Sequence, residues 1–187
     1  MDAATRLFAE RGIEATTMDE IARAAGTSRT SVFNYFPYKG LILCEIGARY
    51  VNEIAAAARP GSRRRRSVRA ILRSMADAAA VLATREPAVM TAVARELMHP
   101  DSRRRHVAAE TMRYPPLVAT VLDQLAADGR LRDPNHRASY ERQLVDLMTS
   151  TLVRAGSDFP VRDLRSELYR NIELFLHGSV VEPAGRA

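Results

Sequence analysis

The chain has 187 residues, 47% of them hydrophobic, so it is long enough to bury a core and too apolar to be disordered throughout. A single cysteine, Cys44, excludes an internal disulfide and a cysteine-based zinc site; no apolar run approaches the roughly 20 residues of a membrane span and no signal peptide is present, so a cytoplasmic protein is expected. The net charge of +6 suggests a polyanionic partner, but residues 1–58 hold six basic and seven acidic side chains, which leaves a surplus of +7 on residues 59–187.

The first predicted helix runs to about Arg11, with Ala3, Ala4, Leu7 and Phe8 on one face, and stops at Gly12 with Ile13 folding back. Thr17-x-x-Glu20 is a capping box that opens a short helix with Met18, Ile21, Ala22 and Ala25 on its apolar side. Gly26 breaks it, and Ser28 caps a second short helix in which Val32, Phe33 and Phe36 fall at helical spacing. Two short helices joined by a glycine turn make a helix-turn-helix, whose second helix enters the DNA major groove. Between Gly26 and Gly40 the only charged side chains are Arg29 and Lys39.

A long helix is predicted from about Tyr38 to Ala58, with Leu41, Cys44, Ala48 and Val51 in line, ending at Arg59-Pro60-Gly61-Ser62. Five further helices follow. Val68 to Leu82 mark one, and Val89 to Met98 the next, started by Pro87 and stopped by Pro100. A third spans about Ser102 to Ala127, kinked or split by Pro115-Pro116 and ended at Gly129. The last two span about Asn135–Ala155 and Val161–His177, with a frayed tail after Gly178. The fold is therefore expected to be all-α. A DNA-binding domain over residues 1–40, with a connecting helix over about 38–58, precedes a larger helical domain over 59–187.

The segment from Asp2 to Leu43 resembles the DNA-binding domain of the tetracycline-repressor (TetR-like) family of bacterial regulators. Phe8, Gly12, Thr17, Ile21, Ala22, Ala25, Gly26, Ser28, Phe36, Pro37 and Lys39 carry the resemblance in order and spacing. It implies a transcriptional regulator, a repressor that a small apolar or amphipathic effector releases from DNA. It also implies a homodimer on a near-palindromic double-stranded operator, with no cofactor and no catalytic residue. Family members usually carry further residues, often basic, before this point, so the first helix is expected to be short by a turn or more.

Arg29, Thr30, Ser31 and Asn34 are the candidate base readers. Arginine pairs bidentately with guanine, asparagine with adenine, and hydroxyls serve several bases. Thr17, Tyr35 and Lys39 are the candidate phosphate contacts, which set register without reading sequence. The family usually places a small residue at position 30 and a tyrosine at 33; Thr30 and Phe33 depart from that, and Tyr35 can supply the missing hydroxyl. Met75, Met90, Met98, Met112, Tyr114 and Met148 are expected to line an adaptable apolar effector pocket. Leu144, Val145, Met148, Leu152, Leu168, Tyr169, Ile172 and Leu176 are expected to pair the last two helices with those of a second copy. Arg63 to Arg66 read as a solvated loop.

Glu96-x-x-His99 has the spacing of half a di-iron site, but its second copy and further glutamates cannot be assembled, so no metal is expected. Two other classes stay open: a helical metal- or ligand-binding enzyme, and an interaction protein with a non-functional helix-turn-helix.

Overall fold

A computed structural model describes residues 2–58, 67–113, 116–155 and 163–181, with residues 116 and 117 through their backbone alone. Arg63 to Arg66 and Tyr114 lie outside the described residues. Ten α-helices make up the described chain, and no strand occurs among these residues. The head holds α1 (Asp2–Arg11), α2 (Met18–Ala24) and α3 (Arg29–Tyr35), followed by the long α4 (Lys39–Ala58). Then come α5 (Val68–Arg85), α6 (Pro87–Leu97), α7 (Ser102–Thr111), α8 (Pro116–Ala127), α9 (Arg137–Ala155) and α10 (Leu164–Ser179). The expected third core helix is thus two helices, α7 and α8. A proline at the start of a helix needs no donor, so Pro116 opens α8 where it would have broken a continuous helix.

The local rules that start and stop the head helices are all met. Thr17 N and Thr17 Oγ1 both donate to Glu20 Oε2, at 2.8 and 2.9 Å, and Glu20 N donates back to Thr17 Oγ1 at 3.2 Å. Gly26 sits at φ 64°, where a side chain would be strained, and lets Thr27 N reach back to Ala22 O at 3.0 Å. Ser28 Oγ accepts from Ser31 N at 3.0 Å and opens α3. Thr17→Ala should therefore cost about 0.5–2 kcal/mol of stability, read as a fall in melting temperature. The backbone amide of Thr17, then its hydroxyl, hold the Glu20 carboxyl below the usual carboxylate range. That contribution is present above the unfolded carboxyl's pKa and is lost as pH falls through the lower folded value. The stability gap between the wild type and Glu20→Gln should close on acidification.

One hydrophobic cluster runs through the molecule. Ala4, Leu7, Phe8 and Ile21 of the head join it to Ile42, Ile46, Val51 and Ile54 of α4, and onward to α5, α6, α8, α9 and α10. α4 is thus a shared strut: it packs along α5 and against α6 and α7, while α1 rests on α6. At Gly47 the approach is closest. A Cβ there would lie 2.1 Å from Met112 Sδ and 2.7 Å from Val93 Cγ1, so only glycine lets α6 and α7 seat on α4.

The chain beyond Gly178 is tied down through Val181 rather than frayed. Leu131 and Val180 form an antiparallel bridge, Arg132 N donates to Ser179 O at 2.8 Å and Val181 N to Arg130 O at 2.7 Å. No helix among the described residues is long and apolar enough to cross a membrane.

Candidate nucleic-acid interface and effector site

The recognition helix α3 buries Val32 and turns Arg29, Thr30, Asn34 and Tyr35 outward, with Tyr35 at 79% exposure. Thr30 and Asn34, four residues apart, share one face and have no side-chain hydrogen-bond partner among the described residues, so their polar groups are available to a ligand. Arg29 is engaged. Its Nη1 lies 3.1 Å from Asp19 Oδ2, and its guanidinium sits 5.2 Å from the centre of the Phe33 ring. Both ionic partners are exposed, and such a pair contributes roughly 1 kcal/mol or less, which a base or phosphate can replace. Ser31 Oγ is 2.8 Å from Ser28 Oγ and belongs to the cap.

Two of the expected phosphate contacts are also held by the fold. The Thr17 hydroxyl is committed to Glu20 in both directions. Lys39 Nζ donates to Ile13 O at 2.7 Å and to Glu14 O at 3.3 Å, closing the α1–α2 turn onto the start of α4. Lys39 therefore holds the head's shape in this conformation. Arg23, exposed in the last turn of α2, is a cation beside the turn that the spacing arguments passed over.

The expected effector residues separate. Met75 and Met148 come together on a small apolar cavity with Ile54, Leu72, Ala79, Val118, Leu144, Val145, Leu152 and Ile172. Its volume is about 20 Å³, room for a water or two. Met90 is buried on α6 away from this lining, and Met112 is buried against Gly47. Met98 is 52% exposed and lines, with Met112, a wide groove of about 990 Å³ between the α6–α7 region and α9.

The expected dimer stripe is the monomer's own core. Leu144, Met148, Leu152, Leu168, Ile172 and Leu176 are all buried within the chain, and Leu168 and Ile172 almost completely. Val145 faces the cavity and the groove, and Tyr169 Oη donates to Asp77 Oδ1 at 2.7 Å beneath Arg73. The outward face of α10 carries Arg170, Leu174, His177 and Gly178, with Val181 just past its end, and Leu174 is 62% exposed.

An ionic cluster ties the core to the head. Arg104 Nη2 of α7 lies 2.7 Å from Glu96 Oε1 of α6, and the Arg104 guanidinium sits 5.3 Å from the ring of Tyr38, next to α4. His99 Nδ1 accepts from Asp101 N at 3.1 Å. Glu96 and His99 thus have separate partners, and no group of three or more metal-ligating side chains occurs among the described residues. The Cys44 thiol is buried and pushed up to about 11, first by desolvation and then by the charge of Glu96, so at neutral pH it is a protonated packing group.

Comparison with known proteins bears directly on this architecture. The profile of bacterial regulatory proteins of the tetR family matches residues 1–46, and that of TetR/AcrR family transcriptional repressors, C-terminal domain, matches residues 48–178. The chain belongs to the TetR family. It is a DNA-binding transcription regulator, and its all-α fold is that of the family. Thermus thermophilus FadR, a TetR-family repressor solved in complex with lauroyl-CoA, is 33% identical, with a TM-score of 0.85 over 100% of this chain and 96% of that one. Bacillus subtilis FadR, solved in complex with stearoyl-CoA, shares the fold at 17% identity with a TM-score of 0.72, over 95% of this chain and 96% of that one. An HTH-type transcriptional regulator of Mycobacterium tuberculosis strain H37Rv is 29% identical over 84% of this chain and 75% of its own.

Proposed function

We propose that this TetR-family regulator is a cytoplasmic repressor that a long-chain acyl-CoA releases from its operator, and that it acts by binding rather than by catalysis. One observation carries the effector class: the Thermus thermophilus relative, similar along the whole chain, was solved with lauroyl-CoA. The cavity lined by Met75, Met148, Leu72 and Leu152 supports it, since its walls are apolar and two of them are methionines, which repack around a flexible chain.

The division of labour is a reading head over residues 1–40, α4 as connecting helix and an effector and dimerisation domain over 59–187. Arg29, Thr30 and Asn34 read bases; Tyr35 and Arg23 meet phosphates. A homodimer forms through the outward stripe of α10 around Leu174 and places two copies of α3 on a near-palindromic duplex.

Release follows from the cavity's size. At about 20 Å³ it cannot take an acyl chain, so the effector must bind a conformation with the cavity opened. Ile54 of α4 is part of the wall, and Met112 seats α7 on Gly47 of α4, so opening the cavity moves the strut that carries the head. Shifting the protein from 99:1 to 1:99 needs about 5.5 kcal/mol of differential binding. The test is DNA release by lauroyl-CoA, with free coenzyme A and a short-chain acyl-CoA as controls, followed by fluorescence anisotropy on a bound duplex. Release by lauroyl-CoA alone is the expected result; equal release by free coenzyme A, or none by any of the three, overturns the assignment.

A further inference from the structure

We infer that the groove between the α6–α7 region and α9 holds the phosphate-bearing head of the acyl-CoA, with Arg105, Arg113 and Arg142 as its anion contacts and Val145 as the gate to the apolar cavity. The inference rests on the acyl-CoA reading and adds where the coenzyme binds.

The placement begins with Val145. Among the described residues it alone lines both the apolar cavity and the groove, so a thioester with its head in the groove can send its chain inward past one side chain. The two spaces differ as the two ends of the ligand do. The cavity is small and lined by apolar side chains, whereas the groove, about 990 Å³, has Arg105, Arg113 and Arg142 in its lining and is large enough for a nucleotide and its pantetheine arm. Met98, 52% exposed, offers the groove an apolar surface that water otherwise covers.

Charge points the same way. Arginine forks match phosphate oxygens bidentately, and coenzyme A carries a pyrophosphate and a ribose phosphate. Among the described residues Arg113 is paired with exposed Glu110 at 3.3 Å, and Arg142 Nη2 donates to Ser139 Oγ at 3.1 Å. Both contacts are weak enough to exchange for phosphate. Arg105 Nη1 is anchored on His99 O at 2.6 Å, which fixes where its remaining donors point. Of the two acids in the lining, Glu141 is committed to Arg137 at 3.1 Å, and Asp146 is outnumbered by the arginines.

Calorimetric titration of the full chain with lauroyl-CoA tests this, using the wild type, the Arg113→Ala/Arg142→Ala double variant, Val145→Trp, and Arg95→Ala as a control from the separate cleft at the head–core junction. The double variant should bind at least tenfold more weakly and with a flatter salt dependence, because phosphate pairs are lost. Val145→Trp should weaken binding without flattening that dependence, and Arg95→Ala should change neither. Unchanged affinity in the double variant, or a loss with the wild-type salt dependence, overturns the groove assignment and leaves the acyl-CoA reading standing. Failure of the wild type to bind lauroyl-CoA removes that reading itself, and the groove assignment with it.

Discussion

Leu168→Glu should leave no folded protein, whereas Leu174→Glu should leave folded monomers. Leu168 has 0% exposure, so the substitution removes apolar contacts and forces a carboxylate into a space with no partner for it. The cost is on the order of 5 kcal/mol, comparable with the roughly 5–15 kcal/mol that holds a typical domain together. Leu174, six residues on, is 62% exposed, and a surface change of this kind moves a monomer's stability by about 0.5 kcal/mol or less. Any large effect at Leu174 must therefore come from a partner that covers it. Circular-dichroism melting separates the first outcome, and sedimentation velocity the second. A Leu174→Glu protein that remains a dimer removes the α10 stripe as the interface.

Replacing Arg29 and Asn34 together by alanine should abolish specific DNA binding while leaving the fold intact. Each side chain that pairs bidentately with a base is worth about 1–3 kcal/mol of discrimination. A dimer presents each one twice, so one substitution acts on both half-sites and costs about 2–6 kcal/mol, roughly additively for separated positions. The pair together costs about 4–12 kcal/mol, comparable with the whole margin between specific and non-specific binding, about 4–10 kcal/mol. The fold should tolerate both changes, because Asn34 is exposed and the Arg29–Asp19 pair lies at the surface. Anisotropy on a selected duplex reads the loss, and the melting temperature reads the fold. Retained sequence preference in the double variant would move base reading to other residues.

Much of the head was legible in the sequence because its structure is set locally. Thr17 with Glu20, Ser28 and Gly26 each satisfy or terminate backbone groups within a few residues, and the helices begin and end where those residues require. The two prolines at 115 and 116 were legible as a break, and whether the helix bends or divides depends on packing around it. The roles of long side chains were not legible. Lys39 reaches back to carbonyls 25 and 26 residues earlier, a contact that spacing does not encode.

The apolar stripes of α9 and α10 marked Leu144, Leu152, Leu168 and Ile172 as turned away from water, and all four are buried within the chain. Periodicity reports which face turns from water and not whose atoms cover it, so it could not tell that side chains expected at a dimer face are covered within one chain. Leu174, off that stripe, carried the surface signal. The methionines illustrate the same limit: Met75 and Met148 meet across the cavity, while Met90 and Met112, as apolar and as well spaced, fill other parts of the core.

Sequencing the genomic fragments retained by the immobilised protein, with and without lauroyl-CoA, tests the central claim most directly. The expected result is a shared near-palindromic sequence whose enrichment disappears with lauroyl-CoA and persists with free coenzyme A. Retention of fragments with no common sequence, or of the same sequence undiminished by lauroyl-CoA, would contradict it.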